Sequence, residues 1–127
     1  MKKINPVVWF EIYVNDLNRA ASFYENVLQV TLEDMGDPID TNVQMKCFPS
    51  EMDNYGAAGA LTKMHGVTPS TNGSLVYFGC DDCKEPELRV EESGGEIIQP
   101  KISIGKHGYV SIIKDTEGNS IGFHSLK

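Results

Sequence analysis

Residues 7–28 read VVWFEIYVNDLNRAASFYENVL. The first eight, 7–14, are rich in β-branched and aromatic side chains and predict a strand. Asn15 and Asp16 follow, with side-chain oxygens that cap helices. From Leu17 to about Leu28, the residues Leu17, Ala20, Ala21, Tyr24, Val27 and Leu28 recur at helical spacing and predict one apolar face. The opening unit is a strand that passes through a polar cap into an amphipathic helix.

That unit recurs. A shift of 66 residues lays Val14-Asn15-Asp16-Leu17 on Cys80-Asp81-Asp82-Cys83, Phe10 on Val76 and Ile12 on Phe78. Later in each half a shift of 62 lays Gly56 on Gly118 and Leu61 on Phe123. Further strands are expected at 31–35, 43–48 and 56–64, with a break at Gly36-Asp37-Pro38 and a loop at 49–54. The polar stretch 67–73 (VTPSTNG) is a connector. Beyond it, strands are expected at 74–80, 96–104, 108–114 and 120–125, with a helix over about 83–93 ended by Gly94-Gly95 and a turn at 115–119 (DTEGN). The order is strand, helix, three strands, twice over.

Composition bounds the rest. The chain has 127 residues, one domain's worth, and 40% of them are hydrophobic, enough for a core. Eleven basic against eighteen acidic residues give a net charge of −7. Nucleic acid and anionic membranes, which need a basic surface, are therefore not expected partners. No apolar run is long enough for a membrane span, and residues 1–6 do not resemble a secretory signal. Three cysteines, an odd and small number, fit a reduced, cytoplasmic protein.

Val8-Trp9-Phe10-Glu11-Ile12, Val14-Asn15-Asp16-Leu17, Ala20 and Phe23-Tyr24-Glu25 resemble the opening of the glyoxalase/bleomycin-resistance/dioxygenase (vicinal oxygen chelate) superfamily. The second half agrees through Leu75-Val76-Tyr77-Phe78, Asp81-Asp82, Gly94-Gly95, Ile104-Gly105, Asp115-Thr116-Glu117-Gly118-Asn119 and Ile121-Gly122, with Thr116 where the family usually has Pro. Within it the chain is most similar to a branch related to lactoylglutathione lyase. The resemblance implies an α+β fold of two βαβββ modules, about 5–65 and 73–127, forming a curved mixed sheet around a cavity. It also implies a homodimer. Metal-dependent members hold a divalent ion with four residues, typically His, Gln or Glu, from the first, fourth, fifth and eighth strands. Those positions fall on Trp9, Ala60, Leu75 and Gly122, none of which ligates through its side chain. A slip by one residue turns the side chain to the other face of the strand. No metal and no other cofactor is expected.

Side chains alternate along a strand, so the positions sharing the phase of the ligand positions that the resemblance implies should face the cavity: Trp9, Glu11 and Tyr13, Leu75, Tyr77 and Gly79, Gly122 and His124. This aromatic set with a few polar groups suits a small organic molecule. Glu11 interrupts an apolar strand and is a candidate base; the alternative is a structural carboxylate bonded to backbone or to a buried Tyr or Lys. His124 is a candidate general acid or donor, or an ordinary polar residue near the C-terminus. Tyr13 and Tyr77 are candidates to orient a ligand, or core fillers. Trp9 is a stacking platform or a plug in the space of the metal. His107, in the loop 104–108, is a candidate ligand contact, or part of a plain surface hairpin.

Other patterns carry less. Cys80-x-x-Cys83 has the spacing of a redox or zinc pair, but the repeat puts both on apolar positions. Gly56-Ala57-Ala58-Gly59 lacks the Lys-Ser/Thr end of a phosphate loop. Glu85, Glu87, Glu91 and Glu92 read as a solvated helix face, leaving Glu11 as the acidic group expected inside. Three functions remain: a metal-independent protein with a small-molecule cavity, in which Glu11 or His124 serves any acid–base step; a metal-dependent lyase or dioxygenase with displaced ligands; and a non-catalytic protein that sequesters a drug or metabolite.

Overall fold

Each half of the chain pairs its first strand in parallel with its last. In the first half β1 (Trp9–Tyr13) lies beside β4 (Ala58–Met64), followed by β3 (Val43–Cys47) and β2 (Glu33–Asp34), the last two pairings antiparallel. In the second, β5 (Val76–Gly79) lies beside β8 (Ser120–Ser125), then β7 (Tyr109–Lys114) and β6 (Glu96–Ser103). Helix α1 (Leu17–Leu28) follows β1, and α2 (Lys84–Leu88) follows β5. This computed structural model describes residues 7, 9–35, 42–51, 53–70 and 74–127. The expected break at Gly36-Asp37-Pro38, residues 1–6 and the end of the connector at 71–73 lie outside the described residues.

The repeat read from the sequence is exact in register. Glu11 stands opposite Ala60, and Tyr77 opposite Gly122, again 66 and 62 residues on. The amide of Val14 donates to Thr62 O at 3.0 Å, and that of Cys80 donates to His124 O at 3.0 Å. Gly56 and Gly118 both take a positive φ, 109° and 88°.

The helix-side faces of the two sheets share one core. Ile12, Val14 and Leu61 of the first sheet and Ile113, Ile121 and Phe123 of the second meet Phe23, Tyr24 and Val27 of α1. Phe10, Tyr24, Phe48 and Phe78 pack ring on ring, with Phe48 and Phe78 centroids 5.3 Å apart. Such pairs contribute about 0.5–1.5 kcal/mol each beyond their buried area. Asp16 caps α1 by accepting from Arg19 N at 3.0 Å.

The second helix is shorter than the expected 83–93. Regular α-helix spans only Lys84–Leu88, and a 3-10 turn follows at Glu91–Ser93. Glu87 N still donates four residues back to Cys83 O, and the amides that follow Leu88 tighten onto carbonyls three residues back, Arg89 N on Pro86 O and Val90 N on Glu87 O. In β6 two register shifts flank Gln99, and Pro100 is tolerated because the strand lies at the sheet edge.

Acidic side chains inside the protein are not the one expected. Glu11 is only half-buried, whereas Glu87, Asp115 and Glu117 are 1%, 4% and 8% exposed. The reading of Glu87 as part of a solvated face is therefore corrected. Its carboxylate accepts from Lys84 Nζ at 2.6 Å, Lys101 N at 2.6 Å and Ser111 Oγ at 2.9 Å, partners that the helix alone does not reveal.

Asp115 and Glu117 clasp the halves together. Glu117 accepts from Asn15 N at 3.0 Å, Asp16 N at 2.9 Å, Arg19 Nε at 2.7 Å and Arg19 Nη2 at 2.9 Å, all in the first half. Asp115 accepts from Tyr24 Oη at 2.5 Å. Asn119 Nδ2 donates to Tyr13 O at 2.8 Å. Burial alone would raise the Glu117 pKa, but the hydrogen bonds from Arg19, Asp16 N, Thr116 and Asn15 N outweigh it and hold the group at about 2, below its ordinary 4.5.

A depressed carboxylate stabilises the fold above its unfolded pKa and loses that contribution as pH falls through the folded value. Urea unfolding should therefore show about 2 kcal/mol of stability lost between roughly pH 4.5 and 2, after allowing for the half-exposed Arg19. Glu117→Gln should be less stable at pH 7 and should lack most of this loss. An identical acid profile in the variant would remove Glu117 from the account.

Candidate functional site

Alternation along β1 puts Trp9, Glu11 and Tyr13 on the face of the sheet away from the helices. The structure joins them: Trp9 Nε1 donates to Glu11 Oε2 at 3.0 Å, and Tyr13 Oη donates to Glu11 Oε1 at 2.9 Å. Each carboxylate oxygen is thus held by a donor from its own strand. Beneath them the paired positions of β4 are small, Ala58, Ala60 and Thr62, so the three large side chains lie without collision. Ala60 and Thr62 are fully covered, and Thr62 Oγ1 has no hydrogen-bond partner. The hydrogen bond to Glu11, with burial and the Glu11 charge behind it, raises the Tyr13 pKa and keeps the phenol protonated.

The matching face of the second sheet carries Tyr77 and His124. Tyr77 lies across Gly122: a Cβ placed on that glycine would overlap the Tyr77 ring carbons. His124 Nε2 lies 2.8 Å from His107 O. A carbonyl only accepts, so Nε2 carries the proton, and Nδ1 is the ring nitrogen left for other contacts. The His107 side chain is exposed; its backbone is what touches His124. The loop closes through Ile104 N donating to Gly108 O at 2.9 Å.

The sequence-derived residues thus form two groups. Trp9, Glu11 and Tyr13 are mutually bonded on β1, while Tyr77, His124 and the His107 carbonyl belong to the second sheet. No hydrogen bond among the described residues joins Glu11 to His124. Both faces are open: Trp9, Leu75 and Tyr77 are 40%, 42% and 49% exposed. Where the halves meet, a cleft of about 200 Å³ runs beside Glu11 and Tyr13, edged by Thr68, Ser70, Ser74, Asn119 and Ser120. These polar residues were not among the sequence-derived candidates. For Thr68 and Ser70 the signal was the polar composition of the connector 67–73; Ser74, Asn119 and Ser120 come from the neighbouring strands and turn.

The four strand positions that would hold a metal carry no suitable donors. Trp9 offers only an N–H, already given to Glu11, and Ala60, Leu75 and Gly122 offer nothing. The Tyr77 ring occupies the space a ligating side chain at 122 would need. Among the described residues, no three of His, Cys, Asp and Glu come together around one point. The residues present therefore do not fit the ion. Cys83 is buried and Cys80 half-buried, with the Cys80 thiol pushed up to about 11, first by burial and then by Cys83 and nearby carboxylates.

The sequence matches the family model of the Glyoxalase/Bleomycin resistance protein/Dioxygenase superfamily over residues 3–123. No curated protein matches it significantly. Among solved structures it is similar to a mutant glyoxalase I from Zea mays, with 22% identity and a TM-score of 0.73, covering 95% of this chain and 47% of that one. It spans about half the length of the maize chains it matches. It is also similar to a trypanothione-dependent glyoxalase I from Leishmania major (17% identity, TM-score 0.70, 97% of this chain and 88% of that). The hypothetical protein SA1046 from S. aureus matches over nearly its whole length (19%, TM-score 0.65, 98% and 99%). At these identities the likeness is one of fold.

Replacing Glu11 by Gln removes the charge that Tyr13 faces. The Tyr13 phenol, followed by its ultraviolet or NMR titration, should then move down toward the ordinary 10.0. An unchanged Tyr13 titration would mean that the bond to Glu11 does not persist in solution.

Proposed function

The chain belongs to the Glyoxalase/Bleomycin resistance protein/Dioxygenase superfamily, and we propose that within it this protein binds a small organic molecule on the open strand faces without a metal ion. The observation that carries this reading is what stands beside two of the positions at which metal-dependent members of the family hold an ion: a tyrosine ring over Gly122, and an anchored carboxylate at Glu11 opposite Ala60. The donor chemistry of an ion site is replaced by aromatic surface with one fixed acceptor, which is the make-up of a ligand pocket.

In this reading the Trp9 ring, oriented through its Nε1 bond, supplies a flat face for stacking. Glu11 accepts from a donor on the ligand and would be the base for any proton transfer. Tyr13 and Tyr77 flank the bound molecule. Fixed through Nε2, His124 presents Nδ1 and stands as the acid–base partner from the second sheet, while His107 and its loop border the ligand. The protein is taken as cytoplasmic, with its three cysteines as free thiols. A second copy of the chain would cover the exposed Trp9, Leu75 and Tyr77, so the working form is a homodimer.

Trp9 is the sole tryptophan of the chain, so its emission reports on the site directly. Fractionated small-molecule extract titrated into the protein should contain a component that changes Trp9 emission and binds at one molecule per chain. Glu11→Ala should weaken that component about tenfold while the far-ultraviolet spectrum stays the same. Absence of any such component, or equal affinity in the variant, would reject the site. Light scattering should give about twice the 14.0 kDa of one chain, and Tyr77→Lys should shift the protein toward monomer. A wild-type monomer would reject the dimer.

A further inference from the structure

The two halves match in register yet differ where each meets the other. In the first half the end of β1 and the start of α1 receive the five-residue turn 115–119, whose Glu117 carboxylate takes Asn15 N, Asp16 N and Arg19. The corresponding groups of the second half, 66 residues on, are Asp81, Asp82 and Glu85. The connection that would reach them runs between β3 and β4. It covers ten residues, 48–57, against five in the second half; its start, Phe48 and Pro49, lines the space beside these groups, while Tyr55, 62 residues before Glu117, is 94% exposed.

The place left open is a cavity of about 330 Å³. It is the larger of the two cavities described, and it is separate from the strand faces. Leu28, Val30, Phe48 and Phe78 form its apolar wall. Asp81, Asp82 and Glu85 stand on its rim with Arg89. The charges do not cancel. Asp82 is paired with Lys101 at 2.7 Å, and Arg89 is turned through Nε to Val27 O at 2.9 Å. Asp81 and Glu85 are exposed, and their side chains make no hydrogen bond or ion pair among the described residues. Three carboxylates against Arg89 and the paired Lys101 leave a net charge of −1 beside two aromatic rings.

We infer that this cavity is a second binding site, for an organic cation with an apolar body, most simply a quaternary ammonium. The apolar part lies against Leu28, Val30 and the phenylalanine rings. The positive head lies at the rim, in the field of Asp81 and Glu85. The apolar wall favours the body and the negative rim favours the head, so one molecule with both parts uses the whole opening. Where the first half closes this position with its own carboxylate and Arg19, the second half has reversed the charge, Glu85 in place of Arg19, and left the space to a molecule from outside.

The test uses benzyltrimethylammonium as probe, with phenylacetate as its anionic counterpart and tert-butylbenzene as a neutral one. Each is titrated into the isotope-labelled full chain and followed by amide chemical shifts. The cation should bind with a dissociation constant of about 1 mM or tighter, moving the amides of Leu28, Val30, Phe48 and residues 78–89. Asp81→Asn combined with Glu85→Gln should weaken it about fivefold without lowering the melting temperature. The inference is overturned if the cation leaves these amides unmoved or shifts only β1 and β8. It is equally overturned if the neutral or anionic compound binds as well as the cation, or if the double variant binds the cation unchanged.

Discussion

The Glu117 carboxylate, its side chain closed off from water, takes four hydrogen bonds from the start of α1. The rest of the structure depends on it. Among the described residues no ladder joins the two four-stranded sheets, so strand pairing does not fix their relation. Their helix-side faces share an apolar core, which is strong but non-directional. Direction comes from the turn 115–119. Glu117 fixes the first turn of α1, Asp115 takes the buried Tyr24 hydroxyl, and Asn119 ties the turn to the carbonyl of Tyr13. That last bond ends on the strand that carries the candidate site. The cleft beside Glu11 is thus shaped by the same turn that joins the halves.

A repeated fold need not repeat its chemistry. Glu11 and Tyr77 occupy equivalent strand positions opposite equivalent small residues, Ala60 and Gly122. On the first sheet the result is a carboxylate held by an indole and a phenol. On the second it is an aromatic ring laid over a glycine. The same divergence governs the seam, where one half inserts a tight turn and the other carries a longer connection outward. Each departure from symmetry leaves an open surface or a cavity, and these are the places where a ligand or a second copy has room.

Much of the fold was legible because it is written in periodicity. The helical spacing from Leu17 to Leu28 and the offsets of 66 and 62 survive as hydrogen bonds at the same residues. The face of β1 was legible too, since alternation alone puts Trp9, Glu11 and Tyr13 together. What periodicity does not carry is the partner across the fold. Glu87 on a helix rich in acids looks solvated until Lys101 and Ser111 arrive from β6 and β7. DTEGN looks like any turn until the first turn of α1 docks on it. The early end of α2 was not legible, because the expected boundary rested on Gly94-Gly95 and the 3-10 turn before it left no mark in the sequence. The cleft-lining serines come from the connector, the start of the fifth strand's segment and β8, which only the packed halves bring together. The lost ion ligands were legible residue by residue; the ring that fills their space required two strands in register.

The account's central claim is that the strand faces accept a ligand without a divalent ion. Elemental analysis tests it most directly. The protein is incubated with zinc, nickel, cobalt and manganese salts and passed through a desalting column, and the metal retained per chain is measured together with Trp9 emission. The account predicts far less than one ion per chain and unchanged emission. Retention of one divalent ion per chain with altered Trp9 emission would contradict it.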